Sequence, residues 1–223
     1  QLGAFSHNHG DEIRRRTELL QQRLEEQQIP LEVLPGADVR IEAGMVDKLR
    51  MGEVLSLGDR RRHVLLELPH ELYFPIDDLL VRLGKHKIQG VLSHPERNQG
   101  LLKEQEVVYD LVRQGCLMQV TADSLLGKFG AASQRFAEAM LRHWQVHFVA
   151  SDAHNTRKRP PRIQEAHRRI ENLTDRTTAD NLCHRVPARV TQGQTVPAQA
   201  ATRRRPARRW FGWSRLASPS RRH

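Results

Sequence analysis

The chain has 223 residues, of which 38% are hydrophobic, and a formal net charge of +10 at pH 7. Its length suits one α/β domain with its own core. Eight arginines and no acidic residue lie between positions 202 and 223, so removing these eight charges from +10 leaves +2 for the rest. The basic character therefore belongs to a tail and does not indicate that the body of the protein binds nucleic acid.

Composition also bounds the setting in which the protein works. The two cysteines, Cys116 and Cys183, are far apart in sequence, which argues against a disulfide framework and favours a reducing, cytoplasmic location. No apolar stretch approaches the roughly 20 residues that span a bilayer, and no signal peptide is evident. The sequence starts at Gln1 rather than Met, so we expect the natural N-terminus to be missing.

Short apolar runs alternate with helix-like stretches along the chain. After a loop over 1–10, we expect helices at 12–28, 76–83, 104–114, 129–142 and 160–172, and strands at 29–33, 64–68, 90–93, 117–121 and 147–151. A short helix and a closing turn are expected within 178–196, and a disordered Arg-rich tail from 197 to 223. The alternation indicates a parallel sheet, whose strands place their carboxyl ends on one face.

Residues that can bind a metal recur near the ends of the apolar runs. They are Asp38, Glu67, His94, Asp123, Asp152 and His154. One such strand end would mean little, but carboxylates and imidazoles at several of them indicate a polynuclear metal hydrolase. We therefore expect a metal-activated water, rather than a cysteine thiolate, to be the nucleophile.

The Ser-Asp-Ala-His motif at 151–154 is the strongest local signal. In extended backbone, positions i and i+2 point the same way, so Asp152 and His154 can face one ion together. A carboxylate beside an imidazole suits Mn, Zn or Fe. The alternative is a capping aspartate with a solvent-facing histidine.

The His-Pro-Glu-Arg-Asn motif at 94–98 is the second signal. His94 can bind a metal at a strand end, and Arg97 offers a planar fork for phosphate. The alternative is a surface salt bridge between Arg97 and Glu96. Because the 151–154 motif occurs in the same chain, we favour metal binding by His94 and phosphate binding by Arg97 over the salt bridge.

Other candidates are weaker. Asp38 follows a Pro-Gly bend, and Glu67 lies in an apolar run where a metal would be a suitable partner; a structural salt bridge is the alternative for both. Asp123 is interpreted as a helix N-cap rather than a ligand. The His7-Asn8-His9 stretch lies in a loop and is discounted as a metal site.

Taken in order, the segments LPGADVRI, VLLELP, GVLSHPERN, VTADSLLGKFG and HFVASDAHN, followed by RPP at 159–161, resemble a known family. The chain is similar, to about Val196, to the bacterial PHP-superfamily protein-tyrosine phosphatases, a manganese-dependent group linked to capsule and exopolysaccharide synthesis. The resemblance implies an α/β fold of the PHP type, a distorted (β/α)7 barrel, over a phosphatase domain at 1–196. It also implies a trinuclear site that holds Mn2+, or alternatively Fe or Zn.

Several residue roles follow from the resemblance alone. It implies metal ligands at Asp38, Glu67, His94, Asp152 and His154, catalytic roles for His94 and Asp152, and a phosphate-binding role for Arg97. The family usually has Glu where Asp38 stands. It also begins with a strand bearing an H-x-H pair and then a T-P-H motif, neither of which is present, so a barrel lacking its first strand is expected.

Three functions remain open at this point. The first is dephosphorylation of a phosphotyrosine protein, such as a bacterial tyrosine kinase of polysaccharide export. The second is another PHP phosphoesterase activity, on histidinol phosphate or a nucleic acid. The third is an inactive remnant that binds partners through its basic tail, where Trp210, Phe211 and Trp213 accompany the arginines and peripheral membrane contact is one use. No specific nucleic-acid partner is expected, and the oligomeric state is left open.

Overall fold

A five-stranded parallel sheet forms the centre of the protein. The computed structural model describes residues 1–3 and 7–198. Its strands are β1 (Asp38–Arg40), β2 (His63–Glu67), β3 (Gln89–Ser93), β4 (Leu117–Thr121) and β5 (Phe148–Ala150). They lie in the order β1-β2-β3-β4-β5, and every pair is parallel. Because all strands run the same way, their carboxyl ends meet at one edge.

Helices connect the strands and cover the sheet. Those before β4 are α1 (Gly10–Glu26), α2 (Met45–Met51), α3 (Asp77–Lys85), α4 (Gln99–Lys103) and α5 (Glu106–Arg113). Those after it are α6 (Ala122–Leu125), α7 (Ala131–Arg142), α8 (Ile163–Leu173), α9 (Arg176–Asp180) and α10 (Val186–Thr191), with a π-helical turn, Asn181–Arg185, between α9 and α10.

Alternation along the strands builds two cores. Val39, Leu66, Leu92 and Met118 are paired in register across four strands and lie fully buried in the larger cluster. Their neighbours Val91 and Leu117 belong instead to a smaller cluster with Phe148, Val190 and Val196. Successive side chains of a strand point to opposite faces, so both faces of this sheet are covered, as is typical of parallel sheets.

The strand expected at 29–33 is wrong. This segment runs beside α1 without strand structure, and the first strand is Asp38–Arg40, so Asp38 begins a strand instead of following one. Pro30 removes one backbone donor, and Val33 donates its N–H to Oε1 of Gln21 at 3.0 Å. Leu31 is 54% exposed, so the apolar residues that suggested a strand do not face a neighbouring strand.

The other expected elements agree with the structure to within a few residues, and the α/β class with a parallel sheet is confirmed. The described residues form five strands, where the barrel implied by the resemblance has seven. The π-helical turn lies before Pro187, which lacks the N–H that an α-helix would use there; the N–H of Val186 reaches back five residues, to Asn181 O. The predicted disorder of the tail concerns positions beyond 198 and lies outside the described residues.

No helix among residues 1–3 and 7–198 is both long enough and apolar enough to cross a membrane.

Candidate metal centre

A cavity of about 420 Å³ lies at the carboxyl edge of the sheet. All six residues predicted from sequence to take part in catalysis or metal binding line it. They are Asp38, Glu67, His94, Arg97, Asp152 and His154, and Arg159 joins them. The strands and the loops that follow them bring together residues as far apart in the sequence as Asp38, at the start of β1, and Arg159, beyond β5. A site at this edge is the arrangement expected of a parallel sheet.

Three of these side chains converge most closely. Nε2 of His94 is 3.7 Å from Oδ2 of Asp38 and 3.8 Å from Oε1 of Glu67, and ligand atoms of all three lie within 4.8 Å of one another. Oδ1 of Asp38 is buried and has no hydrogen-bond partner among the described residues, although Oδ2 accepts a bond from the Ser93 hydroxyl at 2.9 Å. Two carboxylates and an imidazole form a donor set that fits a divalent transition metal. The Asp38 oxygen that lacks a hydrogen-bond partner is free to act as a ligand.

The electrostatics of this cluster also fit a cation. Burial, and then the charge of Glu67, raises the pKa of Asp38 to about 6. Burial, and then the positive charge of Arg97, lowers the pKa of His94 to about 4, so this imidazole is neutral near pH 7. A neutral imidazole is the form that binds a metal, and a bound cation would offset the repulsion between the two carboxylates.

Backbone strain marks both ends of the site. His94, directly after β3, has φ 35°, and Asp152, two residues after β5, has φ 50°. Residues other than glycine rarely adopt this left-handed region, and such positions cluster at functional sites. The extended backbone assumed for the 151–154 motif is therefore not observed, yet Nδ1 of His154 is 3.6 Å from Oδ1 of Asp152.

Asp152 and His154 stand slightly apart from the three converging side chains. Asp152 accepts a hydrogen bond from Nη1 of Arg97 at 2.7 Å and a second, close one from Nη2 of Arg159. His154 has a side chain that is 55% exposed, and its Nδ1 lies 2.8 Å from the backbone oxygen of Asp152. These two residues therefore occupy the same cavity wall without joining the Asp38 cluster directly.

Arg159 was not singled out in the sequence, and its position depends on Asn155. The side-chain oxygen of Asn155 accepts bonds from the backbone N–H groups of Arg157, Lys158 and Arg159. This turn returns the chain to the cavity, where His154 N–H donates to Arg159 O at 3.0 Å. Arg159 begins the RPP segment at 159–161 that belongs to the family resemblance, but no role was predicted for it. The asparagine at the turn does not say which of three consecutive basic residues points inward.

Phe129 supports both guanidinium groups. The central carbon of the Arg97 guanidinium lies 4.2 Å from the centre of the Phe129 ring, and that of Arg159 lies 5.4 Å from it. A cation on an aromatic face is held by the ring quadrupole. The ring thus fixes two positive charges beside the carboxylates of the cavity.

The rest of the 94–98 motif is structural. Glu96 is fully buried and accepts bonds from the Ser124 hydroxyl at 2.6 Å and from Thr121 N–H at 3.0 Å, so the alternative of a surface salt bridge between Arg97 and Glu96 is wrong. Burial raises the pKa of Glu96 to about 7. Asn98 donates to the backbone oxygens of Pro69 and Leu72 at 2.7 and 2.9 Å, which ties the loop after β2 to the loop after β3.

Two weaker candidates lie elsewhere. The interpretation of Asp123 as an N-cap is wrong, because α6 begins at Ala122 and the residue before it is Thr121. Asp123 is instead buried, with Oδ1 3.5 Å from Nε of Arg162. His9 is exposed and directly precedes α1, while Asn8 lies at the cavity wall.

The cysteines do not form a nucleophile site. Cys183 and Arg189 do have the C-x5-R spacing of thiol phosphatases, but the residues between them are helical rather than a phosphate-binding loop. Cys183 is buried, and its pKa is raised to about 11, mainly by burial. Burial also raises the pKa of Cys116 to about 12. A thiolate mechanism needs a lowered thiol pKa, so the structure disfavours it at both positions.

The parallel sheet with carboxylates, imidazoles and arginines around one cavity places the chain in the class of α/β proteins that carry their site at the carboxyl ends of parallel strands. Residues 4–192 match the family model described as "Capsular polysaccharide synthesis, CpsB/CapC". The chain belongs to this family.

Individual relatives are named tyrosine-protein phosphatases. The chain is 35% identical over 156 residues to the tyrosine-protein phosphatase YwqE of Bacillus subtilis, which covers 69% of the chain and 61% of YwqE. It is 28% identical over 145 residues to the tyrosine-protein phosphatase CpsB of Streptococcus agalactiae, covering 63% and 60%. The chain thus spans about three fifths of the length of these relatives.

A solved structure also matches closely. It comes from a crystallographic study of YwqE from Bacillus subtilis and CpsB from Streptococcus pneumoniae, described there as unique metal-dependent tyrosine phosphatases. The TM-score is 0.82 at 31% identity, over 87% of this chain and 78% of the other. This likeness confirms the α/β fold with a parallel sheet that was expected from the sequence.

The raised pKa of Asp38 predicts a stability effect in the metal-free chain. Asp38 binds its proton more tightly when folded, so ionisation destabilises the fold as pH rises from about 4 to about 7. We expect Asp38→Asn to raise the free energy of unfolding at pH 8 by about 1 kcal/mol, because the Asp38 side chain is 36% exposed and solvent screens part of its charge. This gain should vanish at pH 4. Urea unfolding with chelator at both pH values measures it.

The matched control is Asp47→Asn, because this side chain is 56% exposed on α2. Its substitution should change stability little at either pH. Equal stability of the Asp38→Asn variant and the unmodified chain at pH 8 would contradict the prediction.

Proposed function

We propose that this chain hydrolyses phosphotyrosine in proteins by attack of water at a metal centre. The observation that carries the proposal is the convergence of Asp38, Glu67 and His94 on a cavity that also holds Arg97 and Arg159. The first three residues can bind a cation, and the two arginines can bind the anionic phosphoryl group of a phosphomonoester. The names of the relatives support the choice of phosphotyrosine among such esters.

The proposed ligands are Asp38, Glu67, His94, Asp152 and His154, and the proposed metal is Mn2+. Mixed carboxylate and imidazole ligands also accommodate Fe or Zn. When bound, the metal supplies a Lewis acid that activates water at neutral pH and offsets charge on the phosphoryl group. Among the protein's groups, neutral His94 and unsatisfied Asp38 Oδ1 are ready to bind without losing an existing partner.

Arg97 and Arg159 are proposed to hold the phosphoryl group. Each guanidinium has five N–H donors, and the bonds to Asp152 use only part of them. Donors left over can bind the non-bridging oxygens and stabilise the charge that develops on them. Hydrolysis breaks the bond between phosphorus and the tyrosine oxygen, and the phenolate leaves without a strong need for protonation.

The biological setting follows from the same proposal. Residues 1–196 would act as the phosphatase unit, and the substrate would be a phosphotyrosine protein, such as a bacterial tyrosine kinase of polysaccharide export. The free, buried cysteines suit a reducing cytoplasm. The membrane role proposed for the tail concerns residues outside those the structure describes.

The function is tested by phosphate release from a phosphotyrosyl peptide with added Mn2+ and with chelator. A panel of histidinol phosphate, phosphoseryl peptide and a nucleotide phosphodiester runs alongside. We expect metal-dependent release, fastest from phosphotyrosine. Faster release from histidinol phosphate or the diester would reassign the substrate, and no release from any of them would contradict the activity of this chain.

Variants should separate the metal-binding group from the phosphate-binding group. His94→Ala and Asp152→Ala are each expected to abolish most metal-dependent turnover and to lower the bound metal measured by mass spectrometry. Arg97→Ala should lower kcat/KM about 100-fold while the metal content stays intact. Equal metal loss in the Arg97 variant would show that its role is misassigned.

Phe129 gives a subtler test, because it is proposed to position Arg97 and Arg159 without contacting the phosphate. Phe129→Leu removes the π-face and is expected to lower kcat/KM roughly 2- to 30-fold through the loss of about 0.5–2 kcal/mol. Metal content should not change. Trp144→Leu, at an aromatic residue that is 51% exposed, serves as the control and should have full activity. Unchanged kinetics of Phe129→Leu would refute the positioning role.

A further inference from the structure

A second group of metal-binding side chains lies on the helices that follow the candidate centre. Within residues 1–3 and 7–198, two sets of three such residues bring their ligand atoms within 4.8 Å of one another. One is Asp38, Glu67 and His94. The other consists of His167 on α8, Asp180 at the end of α9, and His184 in the π-helical turn. The two sets share no residue.

The geometry of the second set is close to that of a metal site. Nε2 of His167 lies 2.7 Å from Oδ1 of Asp180, and the rings of His167 and His184 are 5.6 Å apart between centres. Ligand atoms around a tetrahedral Zn2+ are about 3.4 Å apart, given metal–ligand distances of about 2.1 Å. Small side-chain rotations therefore suffice to place all three ligand atoms around one ion.

The π-helical turn contributes to this arrangement. Asp180 and His184 are four positions apart on one continuous helical run, and so lie on the same side of it. π-helical turns inside helices are uncommon and frequently occur at functional sites. Here the turn, Asn181–Arg185, carries His184 and begins directly after Asp180, opposite His167 on the neighbouring helix.

The donor set indicates which cation fits. Two imidazoles and one carboxylate suit Zn2+ and similar transition metals, whereas Mg2+ and Ca2+ prefer oxygen ligands. Arg176 and Arg185 act on Asp180 electrostatically, which disfavours a cation held by charge alone. We propose that His167, Asp180 and His184 form a second metal site that binds one Zn2+ ion.

Exposure is consistent with a site that opens to solvent. The His167 and Asp180 side chains are 15% and 34% exposed, and His184 is exposed. A water could complete four-coordinate geometry on the open side. A hydrogen bond joins Nε2 of His167 and Oδ1 of Asp180, and an ion bound between these two atoms would take the place of its hydrogen. The ion would link α8 to the α9 run, and α8 follows the segment that carries Asp152, His154 and Arg159.

The test is the number of Zn2+ ions bound by the full chain, measured by equilibrium dialysis. His184→Ala and Asp180→Asn should each bind one equivalent fewer than the unmodified chain. Both should keep Mn2+-dependent phosphatase activity, because neither residue lines the cavity at the sheet edge. His143→Ala, at another exposed histidine, is the matched control and should bind as many ions as the unmodified chain. An unchanged Zn2+ count in His184→Ala would overturn the proposal.

A second measurement avoids substitution altogether. Ring-nitrogen NMR signals of His167 and His184 in the unmodified chain should shift together on Zn2+ titration and saturate at one equivalent for this site. If they do not shift, and Asp180→Asn lowers the melting temperature equally with and without Zn2+, the cluster is only an ion pair and the proposal is wrong.

Discussion

The parallel register of the first two strands is the constraint on which the site depends. It pairs Asp38 with Leu65, two residues before Glu67, so the two carboxylates lie diagonally on the same face of neighbouring strands. Two carboxylates at such short range repel each other. The Ser93 hydroxyl relieves only one oxygen of Asp38, and burial adds to the cost of its charge. The sheet therefore holds an arrangement that is unfavourable by itself and that a cation would stabilise.

The remainder of the cavity provides the opposite charge. Arg97 and Arg159 donate hydrogen bonds to Asp152, and both guanidinium groups also contact the ring of Phe129. Both arginines pair with Asp152, whereas the ion-pair partner of Asp38 and Glu67 among the described side chains is His94 and not an arginine. The carboxylates of Asp38 and Glu67 therefore remain available to a metal, and the unused donors of Arg97 and Arg159 remain available to a phosphoryl oxygen. The proposed reaction needs both, and it would lose both if these four side chains neutralised one another.

Sequence alone predicted the parallel sheet and the residues of the cavity, because Val- and Leu-rich runs with polar ends have a direct physical meaning. It failed where the tertiary environment decides. The run at 29–33 looked like a strand, but its apolar residues stay exposed. Glu96 looked like a surface partner of Arg97, but tight packing beside Ser124 buries it. Arg159 was part of the RPP segment of the resemblance but received no predicted role, since only the turn at Asn155 selects it over two basic neighbours.

The simple order of the strands has a consequence for how the chain acquires its structure. Each strand pairs with the next one along the sequence, but paired residues are 26 to 29 positions apart, as in Val91 with Leu117 and Gln119 with Phe148. Such pairing is non-local, and parallel sheets fold slowly for this reason. During synthesis, β1 and β2 emerge before β3, β4 and β5, and with them the two repelling carboxylates. The neutral imidazole of His94 follows with β3, and the arginines arrive still later. The nascent sheet thus begins with its least favourable electrostatic pair and gains the compensating groups as it grows.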